Sequence, residues 1–130
     1  MDLAKRYQLD SRNRVCRHGI TVTQCYALES LVDRGGALIT ELAAALSLDK
    51  SNASRVGDSL VDLGLARVVP VPDNARMRRL VPTRKGEALA RRISTEIEAE
   101  HRRAFGGFDA ASLDACERVL ASLLTRERAR

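Results

Sequence analysis

The chain has 130 residues, 45% of them apolar and 30% charged, which gives one domain enough material for a core and argues against wholesale disorder. No apolar run approaches the ~18 residues of a membrane span, and the first residues lack the apolar stretch of a secretory leader, so a cytoplasmic protein is expected. Lys and Arg number 22 against 17 Asp and Glu, and the excess is confined: residues 50–92 hold ten basic and four acidic side chains, while the segments on either side are close to balance.

A basic excess gathered in one segment is the electrostatic footprint of a polyanion partner, because each neutralised phosphate releases counterions. Two Phe, two Tyr and no Trp leave the core to aliphatic side chains and leave no aromatic platform for stacking bases.

Residues 3–17 read as weakly helical, with Leu3, Tyr7 and Val15 as scattered apolar positions. Thr21 and Gln24 have the spacing of a capping box, which predicts a helix to about Arg34 with Cys25, Leu28, Leu31 and Val32 inward and Gly35-Gly36 as its stop. Thr40 is expected to cap the next helix, to residue 46, with Leu42, Ala43 and Leu46 on one face. Ser47-Leu48 reads as a tight turn and Asp49 as the cap of a third helix, in which Ala53, Val56, Leu60 and Leu63 recur at helical spacing. Gly64 ends it. ARVVPV and MRRLV then read as two strands around a PDNA turn. Thr83 opens a long polar helix to about Ala104, broken by Gly106-Gly107. Asp109 caps a final helix, read as brief, with Leu113, Cys116, Val119, Leu120, Leu123 and Leu124 as its apolar stripe.

Two short helices across a tight turn, followed by a hairpin, make a winged helix-turn-helix. The helix after the turn presents Lys50, Ser51, Asn52, Ser54 and Arg55 on its first turns: short hydrogen-bonding side chains and long cations, suited to base edges in a major groove. The hairpin supplies Arg76, Arg78 and Arg79, and a slim arginine-bearing loop suits the narrow, electronegative minor groove. Singly, these are also ordinary residues, since Ser and Asn are common in first helical turns and Arg screens edge strands. Their joint occurrence in the only net-basic segment points to double-stranded DNA.

The segment ITELAAALSLDKSNASRVGDSLVDLGLARVVPVPDNARMRRLVPTRKGEAL resembles the winged helix-turn-helix of MarR-type bacterial transcriptional regulators. Glu41-Leu42-Ala43, Leu48-Asp49-Lys50-Ser51, Ser54-Arg55, Leu63-Gly64-Leu65 and Thr83 with Gly86 carry the resemblance. It implies a mainly α fold with a small β-hairpin wing, flanked by N- and C-terminal dimerisation helices, in three integrated parts: residues 1–20, 21–90 and 91–130. It further implies a homodimer on a pseudo-palindromic operator, most often a repressor released by a small molecule, metal or oxidant, with no required cofactor. Ser51, Asn52, Ser54 and Arg55 match its recognition positions. The family's wing carries Asp-x-Arg. Here Arg76 matches the arginine, while either Asp73 or Asn74 can stand for the acid.

The stripe of Leu113, Val119, Leu120 and Leu123 has few partners within a small winged helix and predicts a partner chain. Among the cysteines, Cys25 and Cys116 are expected as small buried hydrophobes. Cys16 lies between Arg14, Arg17 and His18, whose cations favour a thiolate. Cys16, Cys25 and Cys116 together leave a soft metal or metalloid ion open as an effector, although the spacing is no recognised metal motif. His101 falls on a polar helix surface. No Gly-rich phosphate loop, HExxH or GxSxG is present, so an enzyme is not expected. The alternative to a regulator is a winged-helix protein-interaction module without its own operator, which an Arg-rich surface disfavours.

Overall fold

A computed structural model describes residues 18–129, so the expectations for the N-terminal segment, including Leu3, Tyr7, Val15 and Cys16, lie outside the described residues. The elements are α1 (Val22–Arg34), β1 (Ala37–Leu38), α2 (Ile39–Leu46), α3 (Lys50–Asp62), β2 (Ala66–Val71), β3 (Asn74–Pro82), α4 (Arg84–Phe105) and α5 (Ala110–Arg128). The chain divides into two compact units, one ending at Ile93 and the other beginning at Ser94. No described helix is long and apolar enough to cross a membrane.

The first unit starts from the expected capping box. The Thr21 hydroxyl accepts the Gln24 N–H at 3.1 Å, and Gln24 Oε1 accepts the Thr21 N–H at 2.9 Å. Cys25, Ala27, Leu28 and Leu31 then fall on the inner face of α1, as helical periodicity requires. The core around them is aliphatic: the largest fully buried side chains are Leu28, Leu31, Leu42 and Leu60, joined by Leu65, Leu80 and Ile93.

Thr40 does not cap α2. The helix begins one residue earlier, at Ile39, and its flanking residue is Leu38, whose N–H is taken by the Glu41 carboxylate at 3.0 Å. The cause is a strand that local sequence does not announce: Ala37 and Leu38 pair with Leu80 and Arg79 of β3, which fixes the chain in extended form up to the helix. The expected inward Leu63 is likewise 38% exposed, because α3 ends at Asp62 and Leu63 already belongs to the turn.

The sheet is antiparallel in the order β1-β3-β2, with β3 central. Where β3 hands over to α4, Thr83 bonds both back towards α3 and forward into α4. Its hydroxyl donates to the Gly64 carbonyl at 2.6 Å and accepts the Gly86 N–H at 3.1 Å, and its own N–H donates to the Leu65 carbonyl at 3.0 Å. Lys85 Nζ donates to the Leu63 carbonyl at 3.0 Å. Thr83 thus caps α4 and ties its start to the end of α3.

In the second unit Asp109 caps α5, accepting the Ser112 N–H at 2.7 Å. Its carboxyl is held below the usual 3.8 by the Ser112 side chain and by that backbone bond. The final helix is not brief: it runs 19 residues, and among the described residues none of its side chains is fully buried, Leu113 being half-buried. Val119, Leu120, Leu123 and Leu124 are each between 50% and 66% exposed. Cys116, expected to be buried, is exposed with them. His101 packs edge-on against Phe105 at 5.9 Å between ring centroids.

Candidate nucleic-acid interface

Asp49 shapes the start of α3. One carboxylate oxygen accepts the Asn52 N–H at 2.7 Å and the other accepts the Asn52 side-chain N–H at 2.9 Å. The helix is thereby capped, its positive end is complemented, and the Asn52 amide is held at the first turn. Ala53, Gly57 and Leu60 are buried on one side of α3. Lys50, Ser51, Asn52 and Arg55 are exposed, and Ser54 is half-buried at the edge of the packed face. Gly57 lets the helix settle on the sheet, because a Cβ there would lie 2.6 Å from Leu80 Cδ1.

The exposed side of α3 also carries Asp58 and Asp62, which the sequence reading passed over. At 100° per residue they follow Ser51 and Arg55 along one outward stripe. Phosphates repel carboxylates, so the part of this stripe suited to DNA is its first half. Gln24 is a tether as well as a cap. Its Nε2 donates to Ser59 Oγ at 3.0 Å, and Ser59 Oγ donates to the Val56 carbonyl at 2.6 Å, joining the start of α1 to the middle of α3. Thirty-five residues separate the pair, so no local pattern signals it.

The wing turns through Pro72 and Asp73, with Val71 opposite Asn74. Asp73 has φ +66°, a left-handed value that Asp tolerates better than most side chains, after a proline pre-set for the preceding turn position. Pairing slips between Pro70, opposite Arg78, and Val71, opposite Asn74, so Ala75, Arg76 and Met77 bulge out of register. Asn74 Oδ1 accepts the Arg76 N–H at 3.1 Å and so braces the bulge that carries Arg76. Asn74 therefore bonds the backbone of the wing-tip arginine, while Asp73 serves the turn. Arg76 and Arg78 are exposed. Arg79 is half-buried and donates to the Gly36 carbonyl at 3.1 Å.

The cysteines separate clearly. Cys25 is buried, and burial first, then the Glu29 carboxylate, raises its thiol from 9.0 to about 11, so it is a poor thiolate at neutral pH. Cys116 is exposed. Among the described residues no group of three or more His, Cys, Asp or Glu is placed to hold a metal ion.

Comparison with known proteins places these features in context. The family model described as MarR family matches residues 18–77. A solved MarR family transcription regulator is 30% identical, with 98% of this chain and 83% of that one covered at a TM-score of 0.89. A MarR family transcriptional regulator from Silicibacter pomeroyi is 26% identical over 98% of this chain and 86% of its own, at a TM-score of 0.80. A cysteine-to-serine mutant of MarR from E. coli, complexed with operator DNA, shares the fold at 23% identity and a TM-score of 0.77, over 88% of this chain and 82% of that one. No match was found among curated proteins.

Proposed function

We propose that this chain, which belongs to the MarR family of transcriptional regulators, binds a pseudo-palindromic operator as a homodimer and represses the genes beside it. The observation that carries this reading is the pairing of two surfaces in the first unit. The start of α3 exposes Lys50, Ser51, Asn52 and Arg55, and the braced bulge of the wing exposes Arg76, with Arg78 next to it. The first suits base edges in the major groove. The second suits the minor groove or its phosphates. The operator complex of the E. coli relative supports the same use of the shared fold.

The dimer is supported by α5, on which Val119, Leu120, Leu123 and Leu124 stand exposed among the described residues. Family membership supports release by an effector, with a small molecule, a soft metal or an oxidant as the classes to test. No cofactor is needed for the binding step. A gel shift with the DNA upstream of the coding region tests the proposal. A discrete complex that survives excess random DNA is expected. Binding that random DNA competes away equally would remove the operator from this reading.

A further inference from the structure

Arg79 carries its charge in the wing, but its guanidinium is directed into the fold. Its Nη2 reaches the Gly36 carbonyl at 3.1 Å across 43 residues of sequence. Its backbone sits in the middle of the sheet, opposite Leu38 of β1 on one side and Val69 of β2 on the other. Gly36 is built to receive it. The glycine has φ +124°, and a Cβ there would lie 2.9 Å from Arg79 Nε, 2.8 Å from Val81 Cγ1 and 2.9 Å from the Leu80 carbonyl oxygen. A side chain at position 36 would therefore meet the arginine as well as β3. Arg76 and Arg78, by contrast, are exposed and make no side-chain bond among the described residues.

We propose that Arg79 is a positioning residue for DNA binding: it holds β3 against the turn that ends α1, sets the direction of the wing that carries Arg76, and contacts no phosphate itself. This rests on the DNA-binding reading above. One guanidinium N–H is committed to a partly buried carbonyl and the side chain packs over a glycine, which favours holding the arginine against the fold over reaching out to a phosphate. The three wing arginines, equal in a count of charge, then divide into two that face outward and one that aims them.

The salt dependence of operator affinity separates the roles, because a lost phosphate contact lowers its slope by about 1. Arg79→Met keeps the aliphatic stem and removes both charge and donors. It is expected to weaken operator binding by about 3- to 10-fold while keeping the wild-type salt slope, and Arg79→Lys, which retains a donor, is expected to restore most of the affinity. Without DNA, the amides of β1 and of β3 around Leu80 should exchange faster in Arg79→Met than in wild type. If Arg79→Met does not fold, Arg79→Gln takes its place, neutral but still a donor, with the same slope required. A slope lowered by about 1 in either neutral variant overturns the proposal, as does unchanged amide exchange together with unchanged affinity. Loss of operator binding by the wild-type protein would defeat the DNA-binding reading instead, and the exchange measurement still decides the clamp.

Discussion

In the proposed complex Arg55 and Arg76 approach DNA from different supports, and their substitutions should differ accordingly. Arg55 stands on a helix whose inner face is locked by Ala53, Gly57 and Leu60, so it is pre-aimed. Arg55→Ala should weaken operator binding by ~1–3 kcal/mol and relax preference at one base position, measured by anisotropy titration on operator variants. Arg76→Ala should lower affinity with less change in preference, because the minor groove presents a degenerate pattern. The cysteines give a second test at this scale. Cys116 should react with a thiol reagent at pH 8 in the folded protein, and Cys25 only on unfolding. The raised Cys25 pKa also has a sign. The folded state holds that proton more tightly than the unfolded chain, so stability is intact below pH 9.0 and declines as pH rises towards about 11. Urea melts across that range should show the decline, and Cys25→Ala should flatten it. The accessible Cys116 thiol runs against the sequence expectation, and the choice between Asp73 and Asn74 is one that sequence leaves open. Spacing alone marks an apolar stripe without showing whether anything covers it, and an Asn or an Asp can each accept the Arg76 N–H until register is known.

The helices were legible where their signals are local. Thr21 with Gln24, Asp49 with Asn52 and Asp109 with Ser112 each close a bond three residues away, and all three caps stand where residue type and spacing put them. The start of α2 was not legible, because β1 depends on β3 some forty residues later. The same non-local packing makes two glycines testable. A Cβ on Gly86 would run into the Leu65 carbonyl, a backbone atom that cannot step aside, whereas one on Gly57 would meet the flexible tip of Leu80. Gly86→Ala should therefore lose ~1–3 kcal/mol or more in thermal melts, and clearly more than Gly57→Ala, where the gain in helix propensity offsets part of the clash. The tether between α1 and α3 gives an energetic counterpart. A double-mutant cycle of Gln24→Ala and Ser59→Ala should return a coupling of ~0.5–1.5 kcal/mol, and strict additivity would mean the 3.0 Å bond does not hold in solution.

For the whole molecule, the exposed leucines of α5 and the basic excess of residues 50–92 match the two partners proposed above, a second copy of the chain and DNA. Covering several leucines at ~1.5–3 kcal/mol each is enough to drive association. Light scattering at micromolar concentration should report a dimer, and a Leu120→Lys, Leu123→Lys double variant should report a monomer or a loss of stability. A wild-type protein that is folded and monomeric would leave the stripe without its partner. The DNA partner is tested most directly by a hydroxyl-radical footprint on the DNA upstream of the coding region, wild type beside Arg55→Ala. Two protected half-sites centred about one helical turn apart are expected for wild type and strongly reduced protection for the variant. A single unpaired protected patch, or equal footprints from the two proteins, would contradict a dimer that reads DNA with the start of α3.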